Sequence, residues 1–334
     1  MPPGHNGPWG DRETPLRNTG NWLQQFLSVY ERTGSPRLKR AAERAARFLL
    51  DSAHRPGDGA FLHLPDRARQ EGNGLIGQAW TVLALFSGYR ILEWEELRTA
   101  AQTVLRRHAF DHRLGLWSNL GLAGQSLGVN STLNQQIWFA AAARFDPQPD
   151  EQTRERIRRF LESLHSHVRL SRSGCIEHRI HPRSLWRRFP VGWRTYLRPH
   201  RARGSVAVER AVGYHAFALY GLALLFGGNH NAPACDSRFV AAATAFGDST
   251  DHRVSLRTNR FAYGYNPTGI EMAFAILSFS PGSITSGQAW LGAQFRRCFD
   301  PNTGLMERNS PDPATLAGRM CEANRLPDWT VDLS

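Results

Sequence analysis

Two kinds of helix alternate along this sequence, and that alternation constrains the fold more than any other feature. One kind is charged and amphipathic, as in "RAAERAARFLLDSAHRPGDGAFLH", "LRTAAQTVLRRHAFDHRLGLWSN", "RERIRRFLESLHSHVRLSRSGCIEH" and "AWLGAQFRRCFDPNTGLMERN". Each of these runs into a polar turn and then a glycine followed by large apolar residues. The other kind is apolar nearly all round: "GNWLQQFLSVYER", "GLIGQAWTVLALFSGYR", "STLNQQIWFAAAAR", "AVGYHAFALYGLALLFGG" and "PTGIEMAFAILSF". A helix with a charged face belongs on the outside, and one without such a face is buried.

The turn glycines Gly59, Gly115, Gly174 and Gly304 are spaced by 56, 59 and 130 residues, the last close to twice a repeat of about 65. The missing member falls near "DSTDHRVSLRTNRFA". A period of this length fits a helical hairpin plus a long loop, and such units bury a core only by stacking. The expected fold is therefore all-α: an α/α toroid of five to six hairpins, with an inner ring of apolar helices and an outer ring of charged ones. "PATLAGRMCEANRLPDW" supplies part of a sixth hairpin, and strand is confined to short pieces beside the turn glycines. The expected domain limits are an N-terminal tail at 1–18, the toroid at 19–325 and a C-terminal tail at 326–334.

Charge and cysteine usage narrow the function. The formal net charge is +12, and nearly all of the basic residues are arginine, Lys39 being the one lysine. A basic surface favours anionic partners. Cys175, Cys235, Cys298 and Cys321 lie far apart, so neither a metal knuckle nor a disulfide framework is expected. No HExxH, P-loop or dinucleotide fingerprint occurs, and no cofactor or metal is expected. The first twenty residues lack the apolar core of a signal peptide. The run "AFALYGLALLFGG" is 13 residues long, below the ~20 that span a bilayer. These observations lead to the expectation of a cytoplasmic protein.

In a toroid, every outer-to-inner loop emerges at the end where the inner helices begin, and the positive ends of their dipoles gather there too. The sequence loads these loops with Asp58, His63, Asp66, Glu71 and Asn73, then Trp117, Asn119 and Asn130, and finally Glu307, Arg308 and Asn309. The opposite turns ("TGSP", "ILEWEE", "DPQPDE") are short. A polar, aromatic-lined funnel at one end is expected. The longest loop, 179–203, carries eight arginines and no acid, with Trp186, Phe189, Trp193 and Tyr196 interleaved. It reads as an arm for an anionic or lipid-linked substrate or a membrane surface, or else as solvated charge.

Each candidate residue has a structural alternative. Glu271, a lone acid in an apolar run, reads as a catalytic acid/base or as a capping-box partner of Thr268. His215 reads as an acid/base or a satisfied core histidine. Gln78 with Trp80, and Asn134 and Gln135 with Trp138, would bind and stack on sugars, or else cap buried helix contacts. Tyr214, Tyr265, Arg210, Asn259, Arg260 and Asn73 complete a set suited to holding an anionic sugar. Glu209 or Glu177 would be the second carboxylate of a hydrolase.

The repeated hairpins, the Gly-x-large-apolar turns and the loaded loop end resemble the α/α toroids of carbohydrate-active proteins. These include six-hairpin glycosidases, sugar 2-epimerases and the helical domains of uronyl C5-epimerases. "GNGLIGQAW", "ERAVGYHAFALYGLALL" and "YGYNPTGIEMAFAI" are similar to toroid proteins of glycan-assembly clusters. The resemblance implies an enzyme acting on an acidic, uronate-containing or lipid-linked glycan. Acid/base chemistry of epimerase or lyase type, from Tyr265, Tyr214 and His215 with Arg210 and Arg260, stands first. The alternatives are a two-carboxylate hydrolase using Glu271 and Glu209, a non-catalytic glycan or RNA binder, and a terpenoid-cyclase-like enzyme suggested by the two "GQAW" repeats.

Overall fold

The computed structural model describes residues 1–56, 60–65, 72–121, 124–180, 204–227 and 237–332. The inner helices are α1 (Leu16–Thr33), α3 (Leu75–Leu92), α5 (Leu133–Arg144), α8 (His215–Phe226) and α11 (Thr268–Phe279). The outer helices are α2 (Pro36–Leu50), α4 (Glu95–Arg107), α6 (Glu151–His167), α9 (Ser237–Gly247), α10 (Thr250–Ser255) and α12 (Ile284–Cys298). A further helix, α7 (Gly204–Gly213), leads directly into α8. Each inner helix packs on the next, in the order α1, α3, α5, α8, α11. The sixth place is filled by α13 (Pro313–Gly318) and the 3-10 turn Arg319–Arg325, which touch both α11 and α1 and close the ring. The toroid expected from the sequence is the fold observed.

The inner helices are apolar because they are enclosed. All twelve residues of α8 are buried. Helix α3 is long and apolar enough to cross a membrane by composition, yet it sits between α1 and α5 with most of its residues buried. The outer helices keep their charge on the solvent side, where Arg158 bridges Glu155 and Glu162. The short turns are set by local chemistry. After α1, Gly34 takes a left-handed conformation, and Ser35 then leads into Pro36 at the first position of α2.

The repeat in the sequence is a repeat in the loops. In "FDHRLGLW" and "FDPNTGLM", strands β2 (Phe110–Asp111) and β5 (Phe299–Asp300) pair antiparallel with β3 (Leu116–Gly121) and β6 (Leu305–Met306). The side chains of Asp111 and Asp300 accept backbone N–H groups inside each turn. Gly115 (φ 67°) and Gly304 (φ 70°) complete the turns in a conformation that favours glycine. Strands β1 (Gly72–Asn73) and β4 (Ser126–Val129) add to β3, so the first two loops share one sheet.

After Gly59, Gly115 and Gly174, the apolar residue two positions on is tied to the next inner helix. Gln78 accepts from the Phe61 N–H and donates to its carbonyl, both at 2.8 Å. Gln136 does the same for Trp117 at 3.0 and 2.7 Å. His215 accepts from the Ile176 N–H at 3.1 Å and, through its other nitrogen, donates to the Ala243 carbonyl at 2.9 Å. A buried peptide group without a partner costs roughly 1–3 kcal/mol, so these side chains fasten each loop to the ring. Gln78 and His215 thus take the structural alternative, and burial holds the His215 imidazole down at about 3.

Both terminal segments, as far as they are described, touch the ring. Residues 1–15 run across the loop end of the ring. The His5 N–H bonds Asp312 at 3.0 Å, and the Thr14 N–H bonds the His63 carbonyl at 2.7 Å. Near the other terminus, Asp328 pairs with Arg32 at 2.5 Å. The basic loop falls largely on 181–203, outside the described residues, as do Asp58, Asp66 and Glu71.

Candidate active site

The loop end of the ring gathers aromatic rings around Phe217, in the first turn of α8. Phe217 stacks on Trp138 with centroids 4.6 Å apart and meets Tyr214 at 5.9 Å and the half-buried Trp80 at 6.3 Å. Tyr214 also contacts His178 (5.1 Å), Phe261 (5.5 Å) and Tyr265 (6.3 Å). The N-terminal segment closes over this group. The Trp9 indole N–H donates to the Tyr214 hydroxyl at 3.3 Å, and the Tyr265 hydroxyl donates to the Asn6 carboxamide at 2.9 Å. The Arg210 guanidinium lies 4.5 Å from the Trp9 ring. Among the candidates, Tyr214, Tyr265, Arg210 and Trp80 are therefore brought together.

Two buried arginines lie under the aromatic layer. Arg319 sits 5.3 Å from Phe217, pairs with Glu271 at 2.6 Å and Glu322 at 2.8 Å, and donates to Asn266 at 2.7 Å. Arg17, in the first turn of α1, lies 5.0 Å from the Trp80 ring. It pairs with Glu13 at 2.5 Å, with Asp312 at 3.5 Å, and bonds Thr315. Its Nε and Nη1 are buried without a partner among the described residues, as is the Oδ1 of Asn134, one helical turn before Trp138.

The remaining candidates are placed elsewhere. Glu271 is fully buried and makes no capping box: α11 has no side-chain cap, and its carboxylate is turned to Arg319. Burial pushes the Glu271 carboxyl up, against the opposing pull of Arg319 and with Glu322 adding repulsion. Asn259 is spent on the Glu209 carbonyl (2.7 Å) and the Phe261 N–H (2.9 Å). Trp138 donates its indole N–H to the Phe217 carbonyl at 3.0 Å. Glu209 lies at the rim, 3.7 Å from Arg260, and Glu177 is exposed. Glu271 and these two acids do not form a facing pair: the first is enclosed by Arg319, the others sit toward solvent. Asn73 pairs with Leu120 through its backbone, and its side chain lies outside the described residues.

No family model matches the chain. It is 35% identical over 353 residues to archaeal glycosylation protein Q of Haloferax volcanii, an alignment covering all of this chain and 93% of that protein. The chain belongs to the archaeal glycosylation protein Q family. Solved structures of the same fold include cellobiose 2-epimerase from Spirochaeta thermophila. That structure has a TM-score of 0.62 and 15% identity, with 93% of this chain and 85% of that one covered. A D-mannose isomerase matches with a TM-score of 0.60 and 14% identity, over 93% and 86% of the two chains. An α-1,6-mannanase from Salegentibacter follows at 0.53 and 12%, over 93% and 89%.

In this member of the glycosylation protein Q family, three residues of the site escape a reading of the sequence alone: Trp9, Arg17 and His178. Trp9 and Arg17 sit in what reads as a polar tail. His178 lies in a loop, with Nδ1 buried and without a partner among the described residues. Burial, then the charges of Arg210 and Arg179, hold its imidazole down at about 3. The Tyr214 phenol beside it is pushed well above its ordinary value, chiefly by burial and then by Tyr265. A signal for His178 was present: it stands two residues after the tied Ile176, and its carbonyl accepts the Leu133 N–H at the start of α5.

Proposed function

We propose that this protein is an enzyme of glycan assembly that moves a proton on an acidic sugar, in an epimerase or lyase reaction. The observation that carries the reading is the contact of His178 with Tyr214, an imidazole with an open nitrogen against a protonated phenol. Burial keeps both groups neutral, the forms in which an imidazole can accept a proton and a phenol can donate one. Family membership, together with a fold shared with a 2-epimerase and an isomerase, supports a glycan substrate.

His178 Nδ1 takes the proton from the carbon next to the sugar carboxylate, and the electron pair moves onto the carboxylate oxygens. Arg210 stabilises that charge. The Tyr214 hydroxyl returns a proton to the carbon, giving the epimer. Departure of a neighbouring oxygen substituent instead gives the lyase product. The substrate also prepares its own base. A carboxylate beside Arg210 offsets one of the charges that hold His178 down, so proton affinity rises where the substrate binds.

The test is solvent exchange. Uronate-containing oligosaccharides incubated in D2O should gain deuterium at one ring carbon, followed by NMR. Tyr214→Phe and His178→Ala should each lower that exchange by roughly a hundredfold or more while retaining the fold. Cleavage to a saturated product without deuterium uptake would overturn the reading in favour of a hydrolase, because elimination leaves an unsaturated ring instead. Binding with neither exchange nor cleavage would favour a non-catalytic glycan binder.

A further inference from the structure

On the far side of the N-terminal segment from the aromatic site is a second, separate feature. A cavity of about 380 Å³ opens between the 257–264 loop, the end of α12 and the turn at 309–311, with Pro8 as one wall. Among the described residues, three arginines line it, Arg257, Arg260 and Arg297, and no carboxylate does. Arg257 is exposed and has no ion-pair partner among the described residues. Arg260 keeps Glu209 at 3.7 Å, outside the lining.

The walls are fixed from several sides. The Arg297 guanidinium donates to the Arg257 carbonyl at 2.7 Å, and Asn309 donates back to the Arg297 carbonyl at 2.8 Å. Ser310 bonds the Gly264 carbonyl at 2.5 Å. Two non-glycine residues here are left-handed, Tyr263 at φ 38° and Asn309 at φ 53°. A Cβ on Gly264 would stand 2.2 Å from the Asn309 carbonyl oxygen, so only glycine fits between these strands of chain. Strained backbone persists where the surroundings hold it, and such places cluster at ligand sites.

We propose that this cavity binds a phosphate or diphosphate group. Glu209 faces only Arg260, so a sugar carboxylate with one charge would still leave a guanidinium group uncompensated, whereas a phosphate or diphosphate supplies more charge and fills more of the volume. Arginine forks suit phosphate oxygens in pairs. Pro8 lines the cavity and the next residue, Trp9, sits on Tyr214, so one thickness of chain separates the anion from the reacting groups. The assignment of this anion as part of the substrate rests on the proposed glycan reaction; the binding itself does not.

The test is calorimetric titration of the full chain with inorganic diphosphate. One molecule should bind per chain, and Arg257→Ala and Arg260→Ala should each weaken binding by about tenfold, the effect of losing a charged hydrogen bond. Arg37→Ala, on the outer face of α2, removes the same charge elsewhere and should change little. No saturable binding, or equal weakening by all three variants, overturns the site. Two competitors then separate the sources of the group. Displacement at lower concentration by a nucleoside diphosphate supports a nucleotide-linked sugar, and displacement by a short-chain prenyl diphosphate supports a lipid-linked one. Failure of both to displace overturns the substrate assignment. Tyr214→Phe should bind diphosphate normally while losing proton exchange, so failure of this site and failure of the proposed reaction are told apart.

Discussion

Arg17 and Arg319 sit at the same end of the ring, each under an aromatic ring and each between two carboxylates, yet they differ in what is left over. Arg319 spends all three nitrogens: Nε on Glu322, Nη1 on Asn266 and Nη2 on Glu271. Arg17 works through Nη2 alone, and its Nε and Nη1 have no partner among the described residues. The same division separates the histidines. His215 uses both nitrogens on backbone, whereas His178 keeps Nδ1 open. Buried polar groups are normally satisfied. The spent groups therefore read as fastenings of the fold, and the open atoms of Arg17 and His178, both beside the aromatic site, as groups kept for something else.

The contrast breaks most sharply at Arg319. Arg319→Met leaves Glu271 and Glu322 buried without a counter-charge and should cost about 3–5 kcal/mol, or prevent folding. Chemical denaturation measures it, and a loss below about 1 kcal/mol would show that the cluster is not a fastening. Arg17→Lys keeps the charge facing Glu13 and Asp312 but removes the forked donors. Stability should fall by no more than about 1 kcal/mol while turnover drops at least about tenfold, the cost of a lost charged hydrogen bond. Unchanged turnover would move Arg17 into the spent class.

The histidines extend the comparison to acid pH. His63, His178 and His215 are held at about 3 and His108 at about 4, chiefly by burial. Between these values and the unfolded value near 6.5, the unfolded chain takes up protons that the folded chain refuses. Stability is therefore full above pH 6.5 and falls as the pH is lowered through that window. His215→Gln can keep both backbone bonds while removing one titration, and should flatten the decline by about 1.4 kcal/mol per pH unit. An unaltered slope in thermal melts from pH 7 to 4.5 would contradict the assignment. The smallest effect is expected at the rim. Glu209→Gln removes a half-exposed partner of Arg260 and should shift stability by less than about 0.5 kcal/mol. Turnover should be retained; its abolition would restore the two-carboxylate mechanism.

The architecture was legible because it is written in local terms. Alternating helix character and the turn glycines depend on neighbours in sequence, and both survive into the ring and the β2–β3 and β5–β6 turns. The site is less legible because the same residue types serve two ends. Gln78, Asn259 and His215 have the donors and acceptors that a sugar would need, and the fold uses them on buried peptide groups. Glu271 could be noticed as an isolated acid, but its partner lies 48 residues away, in the segment that reads only as part of a sixth hairpin. Trp9 meets Tyr214 across 205 positions, a contact that no spacing rule would suggest.

The way the sixth place in the ring is filled bears on the order of assembly. The hairpins can each form from contiguous chain, but the seam joins His5 to Asp312 across 307 positions and Arg17 to Thr315 across 298. Closing a loop of that size rather than a single repeat of about 60 residues costs only about 1–2 kcal/mol more, since the penalty grows with the logarithm of length. Timing is affected more than stability. As the chain leaves the ribosome, one flank of α1 has no neighbour until α13 and the turn behind it have emerged. The ring must wait as an open crescent, its first helix exposed along one side, and the aromatic site and the arginine cavity acquire their final walls in the same closing step.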